Sequence, residues 1–474
     1  MPILLLLIPL VCIFILNLPT RTFGAKLAPW LVALACLLQA VFAATSQMAC
    51  WGPFESLITL PFPLALTVDP VSAIVLFTIA LVVAVAIIVG IRGDARHKVV
   101  VSSVILACMA GMNGVVMVRD LFTLYIFLEL MTISVYILIA TQRNIEALSA
   151  AFKYFILGGL ASLTLLLANA LIFMQIGDLS FAGVRDALNA NDQLVQIALI
   201  LYVIAFCVKA GVAPFHGWLP DAYTSASNAV SIMLAGITTK VAGVYVVIRL
   251  MNDVFVGPTG VPFAGPSYAF MILGSFSIVI GAFGAFGQKE MKRMLAFSSI
   301  SQVGYIILAA GLATPLALIG AMVHFFNHAL FKSLLFVNST AVEEQAGTTD
   351  FDKLGGLAER LKVTGWTSIV GFLSTAGVPP FSGFWGKLLI IIALAVSGHI
   401  FFASLAVVMS LVTLAYFLLM QRRVFFGKLR EGFEEIREAR KPLLGTSVVL
   451  ASLTTALGLV FPVVLVILQS YGLV

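Results

Sequence analysis

The sequence predicts an all-α integral membrane protein that crosses the bilayer with about fourteen helices. Three observations lead there. Of the 474 residues, 61% are hydrophobic and only 10% charged, whereas a soluble domain carries roughly a quarter charged residues. Apolar runs near the ~20 residues that a helix needs to span hydrocarbon recur from end to end. A proline-bearing segment, AGVAPFHGW at 210–218, returns in register as AGVPPFSGF at 376–384.

The first run, 3–18, lacks a basic leader and a small-residue cleavage pattern before the second, 27–45, so it reads as a retained helix rather than a removed signal peptide. Runs at 71–91, 99–118, 121–140 and 150–175 follow as spans three to six. The seventh, 194–213, runs into Pro214, and 228–250, 267–287, 294–313 and 317–340 continue the series. The twelfth, 364–397, is interrupted by Pro379 and Pro380, and 400–420 and 444–468 complete it. Proline removes a backbone donor and frees carbonyls, which a membrane tolerates only where that backbone faces protein or water. Spans seven and twelve are therefore expected to be broken helices.

The 27 Lys and Arg are distributed unevenly. Nineteen lie in connectors after odd-numbered spans, from Arg21 and Lys26 to the group at 422–441, three (Arg119, Arg185 and, at the closing edge of span eight, Arg249) are counted with the connectors after even spans, and five lysines lie inside spans. By the positive-inside rule the odd connectors face the cytoplasm, which places both termini on the non-cytoplasmic side of an inner or plasma membrane. The basic stretches are thus topological signals, and nucleic acid is not an expected partner. Cys12, Cys36, Cys50, Cys108 and Cys207 lie in or beside apolar runs without C-x-x-C or cluster spacing, which fits packing residues. With no nucleotide loop, metal cluster or flavin signature, no cofactor is expected in this chain, and any redox reaction belongs to partners.

Ionisable groups at membrane depth cost at least a few kcal/mol each, so several together imply a water-filled or paired polar path. Lys153, Lys209, Lys240, Lys332 and Lys387 stand within or at the ends of spans, with Glu129 in YIFLELMTISVY and His324 and His328 in HFFNHALFKSLLF. Lys153 and Lys332 have a bland alternative, snorkelling from a span end. His324, His328 and Lys332 recur every four residues, so they share one helical face over about 12 Å. Such a ladder can pass protons. Two histidines without a third ligand or a glutamate in H-E-x-x-H register do not make a metalloprotease site.

The repeated segment carries the breaks at Pro214 and at Pro379–Pro380, and an interval of five spans reverses the direction of crossing, so the two copies are inverted in the membrane. Lys209 precedes its break and corresponds to Thr375, whereas Lys387 follows its break and corresponds to Asp221. The two cations are expected to terminate different parts of one path, Lys209 near Glu129 and Lys387 nearer an exit.

KAGVAPFHGWLPDAY (209–223), LAGITTKVAGVYVVIR (234–249) and HFFNHALFKSLLF (324–336) resemble the proton-conducting antiporter-like subunits shared by respiratory complex I, Mrp-type cation/proton antiporters and membrane-bound hydrogenases. The resemblance covers roughly residues 100 to 420. It implies fourteen helices with two inverted five-helix repeats, about 99–250 and 267–420 within a core of 99–420. Helices one to three would occupy 1–98, and a cytoplasmic connector and helix fourteen 421–474. By resemblance Glu129 is the fifth-helix acid, Lys209 its seventh-helix partner and Lys240 the central eighth-helix lysine. His324, His328 and Lys332 fit the eleventh-helix pattern, and Lys387 the ionisable position of the twelfth, with Lys153 and Asp221 accessory. TSASNAVS at 224–231 departs from the family in lacking the usual proline.

The expected function is a proton-translocating subunit of a redox-driven complex, hydrogenase-like or complex I-like, working with other membrane subunits. The alternative is a subunit of a Mrp-type Na+/H+ antiporter without redox chemistry. An inert scaffold is disfavoured, because buried structural lysines would need about as many acids and Glu129 is the one clear acid at depth.

Overall fold

The computed structural model describes residues 2–18, 21–45, 65–91, 93–189, 191–258 and 260–470. Cys50 and Arg92 lie outside the described residues. Among the described residues the secondary structure is helical apart from three isolated bridges, Leu66 to Val118, Asp120 to Ser180 and Glu290 to Asp350.

In chain order the helices are α1 (Leu4–Leu16), α2 (Arg21–Thr45), α3 (Pro70–Val89), α4 (Ala95–Met117), α5 (Leu121–Ala140), α6 (Ile145–Ile176), α7 (Phe181–Ala187), α8 (Gln193–Ala210) and α9 (Leu219–Ser225). They continue as α10 (Asn228–Met233), α11 (Val246–Asp253), α12 (Ala264–Phe286), α13 (Met291–Leu312), α14 (Pro315–Ala346), α15 (Lys362–Ala376), α16 (Ser382–Val396), α17 (Ile400–Val424) and α18 (Lys441–Ser470). The side chains of Asp69, Asp94, Asp120, Asn144, Asp192 and Thr314 accept first-turn amides, satisfying donors that lipid cannot.

Among the described residues twelve helices are long and apolar enough to cross a membrane, against the fourteen spans expected. The first expected span is the 13-residue α1, and the twelfth is split into α15 and α16 of 15 residues each. The split has a local cause. Gly377 caps α15 at φ 83°, a left-handed conformation that suits glycine, and Pro379 and Pro380 then prevent resumption until Ser382. The seventh span stops the same way, with Gly211 at φ 67° capping α8, Pro214 in the turn that follows, and only the seven-residue α9 beyond it. Both breaks contain a cis X-Pro bond.

The chain divides into two compact units, one of residues 1–211, 225–233 and 237–269, the other of residues 212–224, 234–236 and 270–474. Their internal construction corresponds element by element. The 32-residue α6 and α14 begin at Ile145 and Pro315, capped by Asn144 and Thr314, and end at Gly177 and Gly347, both left-handed. Leu121 N–H donates to Leu179 O and Phe181 N–H to Arg119 O. Met291 N–H donates to Thr349 O and Phe351 N–H to Lys289 O in the same pattern. These pairs are all 170 residues apart, so the repeat extends well beyond the nine-residue motif.

Between α10 and α11 the helix continues as widened π-turns, Leu234–Thr238 and Lys240–Tyr245, a departure that helices often make at functional positions. Across the resulting Asn228–Asp253 segment the whole apolar window is buried.

Candidate functional site

Glu129 on α5 and Lys209 on the last turn of α8 approach to 3.8 Å, with 28% and 3% of their side chains exposed. The space between them is bridged. Lys209 Nζ donates to the Ser162 hydroxyl of α6 at 3.0 Å and to Thr132 Oγ1 of α5 at 3.1 Å, and Ser162 Oγ donates to Glu129 Oε1. Ammonium, hydroxyl and carboxylate thus form a continuous hydrogen-bonded chain. A hydroxyl that accepts on one side and donates on the other can pass a proton by exchanging both bonds. Ser162 is 3% exposed and Lys209 6%, so water does not compete freely for these bonds.

Lys240 opens the second π-turn, is fully buried and donates to Thr239 Oγ1 at 3.0 Å. Its stretch lies against the Lys209 end of α8. A Cβ on Gly243 would stand 2.4 Å from Ala210 N and 2.5 Å from Ala210 Cα, so only glycine lets these backbones meet.

In the second unit α14 is unbroken, so His324, His328 and Lys332 stand on one helix, each fully buried. The first and third face α13. His324 Nε2 lies 3.2 Å from Gln302 Oε1, and Lys332 Nζ donates to the Ser298 hydroxyl and, at 3.1 Å, to Leu295 O. Lys387 on α16 donates to Ala376 O at 3.3 Å, across the break, and sits 4.6 Å above the Tyr305 ring. Tyr305 and His324 have ring centroids 6.1 Å apart, so Tyr305 touches both titratable groups. The close approach of α16 to α14 depends on Gly386, whose Cβ would fall 2.9 Å from His324 Cα.

Two accessory positions stand apart. Lys153 is exposed on α6 and outside the buried chain of groups. Asp221 on α9 accepts from Arg293 Nη1 at 2.7 Å, with both side chains partly exposed. Among the described residues no three His, Cys, Asp or Glu side chains gather as metal ligands.

The sequence reading did not single out Ser162, Thr132, Ser298, Gln302 or Tyr305. It also placed Arg119 and Arg249 in connectors without seeing that both converge on Asp69, the cap of α3, at 2.9 and 2.5 Å. Burial works against the Asp69 carboxylate, but Arg249, the Ser72 amide and Arg119 outweigh it and hold the group below the usual carboxylate range.

Residues 118–413 match the family described as NADH:quinone oxidoreductase/Mrp antiporter, TM, which covers most of the elements above. The chain belongs to this family. It is an antiporter-like, multi-pass membrane subunit. A Na(+)/H(+) antiporter subunit of Alkalihalophilus pseudofirmus is 30% identical over 352 residues, 74% of this chain and 70% of that protein. A subunit of the NADH-quinone oxidoreductase of Desulforudis audaxviator is 30% identical over 428 residues, 88% of this chain and 85% of that one. Among solved structures, a chain of the membrane-bound sulfane sulfur reductase, an archaeal respiratory membrane complex, superposes with a TM-score of 0.88 at 27% identity, over 98% of this chain and 94% of that one.

Proposed function

We propose that this chain is the proton-translocating subunit of a multisubunit, redox-driven membrane complex of the hydrogenase or complex I kind. Other membrane subunits are its partners, and the redox centres are housed in them. The observation that carries this reading is the Glu129–Ser162–Lys209 chain: a carboxylate and an ammonium joined through a hydroxyl, inside helices that have no structural need of charge. Apposed, the two charges stabilise one another; a change of charge or packing that parts them leaves a proton to be handed on. Lys240 receives it in the first unit, and His324, His328, Lys332 and Lys387 perform the corresponding transfers in the second. The breaks at Pro214 and at Pro379 and Pro380 supply the hinges and free carbonyls beside which Lys209 and Lys387 work.

Glu129→Gln tests this reading. In the purified complex, reconstituted into vesicles, the variant should assemble normally and lose coupled proton transport. Pumping at the wild-type rate would refute the role. The 30% identity to an antiporter subunit supports a second reading, a Na+/H+ antiporter without redox chemistry. Affinity purification from the native membrane with metal analysis separates the two. Stoichiometric iron or nickel supports the redox complex, and a metal-free set of small membrane subunits supports the antiporter. The basic connector at 422–441 is placed in the cytoplasm and both termini opposite, an orientation that protease cleavage of that connector from outside would overturn.

A further inference from the structure

The polar face of α14 does not end at Lys332. Ser339 lies seven residues on, about 10 Å along the same face at 1.5 Å per residue, and Glu343 one turn beyond it. Leu335 and Phe336, no more than 1% exposed, interrupt that face for a single turn, with the Phe336 ring edge-on to Tyr223.

Past this turn lies a buried polar cluster that the relay described above does not use. Thr367 of α15 and Ser447 of α18 donate to Asn338 Oδ1 at 3.2 and 2.8 Å, and Ser368 donates to Gln421 Oε1 of α17 at 3.1 Å. Asn338 and Ser339 are both fully buried, yet Asn338 Nδ2 and Ser339 Oγ have no hydrogen-bond partner among the described residues. An unsatisfied buried polar group is destabilising, and folded proteins offset this with ordered water where the site is polar. The amide is a donor, which a water oxygen satisfies and a cation cannot. The cluster lies within one to two turns of Glu343, which pairs with Lys292 at 2.7 Å and is 37% exposed, so it stands near a polar surface of the protein.

We propose that the Asn338–Ser339 cluster is a water-holding antechamber that delivers protons to Lys332 from the Glu343 end of α14, with the Leu335–Phe336 turn as the dry barrier between them. The proton delivery rests on the translocation reading; the presence of water does not. The barrier keeps the antechamber from short-circuiting the membrane, and its opening over one turn is enough to connect water to the lysine.

The test uses the intact complex with the chain's five cysteines replaced, carrying either Ser339→Cys or Leu335→Cys. Silver ion is applied from one side of the vesicle at a time, and protection of the thiol is read by later alkylation in denaturant. Ser339→Cys should react at least tenfold faster than Leu335→Cys, from the Glu343 side. Equal rates, or reaction from the other side, would overturn the antechamber. Asn338→Leu, with assembly checked by co-purification, should slow proton translocation at least tenfold, while Asn338→Ser retains most of it. Wild-type pumping by Asn338→Leu would overturn the delivery role. If Glu129→Gln pumps normally, the translocation reading fails, while the silver result still decides whether water is there.

Discussion

Replacing Ser162 with alanine separates the two ways in which Glu129 and Lys209 can communicate. At 3.8 Å their charges attract by about 4 kcal/mol at an effective dielectric of ~20 and by about 1 kcal/mol at that of water. Partial exposure of Glu129 puts the pair between these limits, and the substitution leaves this attraction in place. What it removes is the hydroxyl that accepts from Lys209 and donates to Glu129. A hydrogen bond to a charged group contributes about 1.5–3 kcal/mol. If the bridge is the route of transfer, translocation should fall by about 10- to 150-fold. Lys209 keeps Thr132 as an acceptor, so the buried ammonium is not stranded and the complex should assemble. The assay is vesicle acidification by the reconstituted complex, followed with an entrapped pH dye. Ser162→Thr restores the hydroxyl and should restore the rate. An assembled Ser162→Ala complex pumping within twofold of wild type would refute the bridge and leave only through-space coupling.

Three further outcomes are expected. Gly243→Ala places a Cβ against the backbone of Ala210, which cannot yield as a flexible side chain would, so it should lower stability by about 1–3 kcal/mol; Gly159→Ala, with nothing within 4 Å, is the neutral control in the same thermal-unfolding series. Tyr305→Leu removes the ring beneath Lys387, a contact that contributes about 0.5–2 kcal/mol, so it should slow translocation by up to ~30-fold, whereas Tyr305→Phe keeps the ring and most of the rate. Asp69→Asn retains the helix cap but loses the charge between Arg119 and Arg249. Because the folded-state pKa of Asp69 lies below its unfolded value, its stabilisation is present above the carboxylate range and disappears as pH falls through the folded pKa. The difference in Tm between wild type and Asp69→Asn should therefore be present at pH 7 and shrink on acidification; a gap that widens would refute the assignment.

Much of this arrangement was legible because a membrane makes charge conspicuous. Glu129 and Lys209 are improbable in hydrocarbon unless paired, and the structure places them 3.8 Å apart. Pro214 and Pro379–Pro380 marked the breaks because each follows a glycine, Gly211 or Gly377, that turns left-handed and ends its helix, whereas Pro9, Pro29 and Pro462 are carried inside helices. Ser162 and Thr132 carried no such mark. Membrane helices are full of hydroxyls that bond the carbonyl four residues back, as Thr132 itself does to Leu128 O at 2.8 Å and Thr413 to Met409 O. Only tertiary packing shows which hydroxyl turns toward a neighbouring helix. Lys153 is the converse case: position in a span does not say which way a side chain faces, and it is exposed on α6. The Asp69 cluster was hidden because its members are 50 and 180 residues apart in sequence.

The correspondence between the two units sharpens what each can do. The shift of 170 residues that carries Ile145 to Pro315 and Gly177 to Gly347 also carries Ser162 to Lys332 and Glu129 to Ser299. The helical position that holds the bridging hydroxyl in the first unit therefore holds an ammonium in the second, and the acid is replaced by serine. In the first unit the buried charge is balanced by Glu129. In the second, the partners of Lys332 and Lys387 include a serine hydroxyl, two backbone carbonyls and an aromatic face. Neutral dipoles of this kind hold a cation less firmly than a carboxylate does. On the translocation reading proposed above, the first unit keeps an apposed charge pair until something parts it, and the second carries a proton without retaining it.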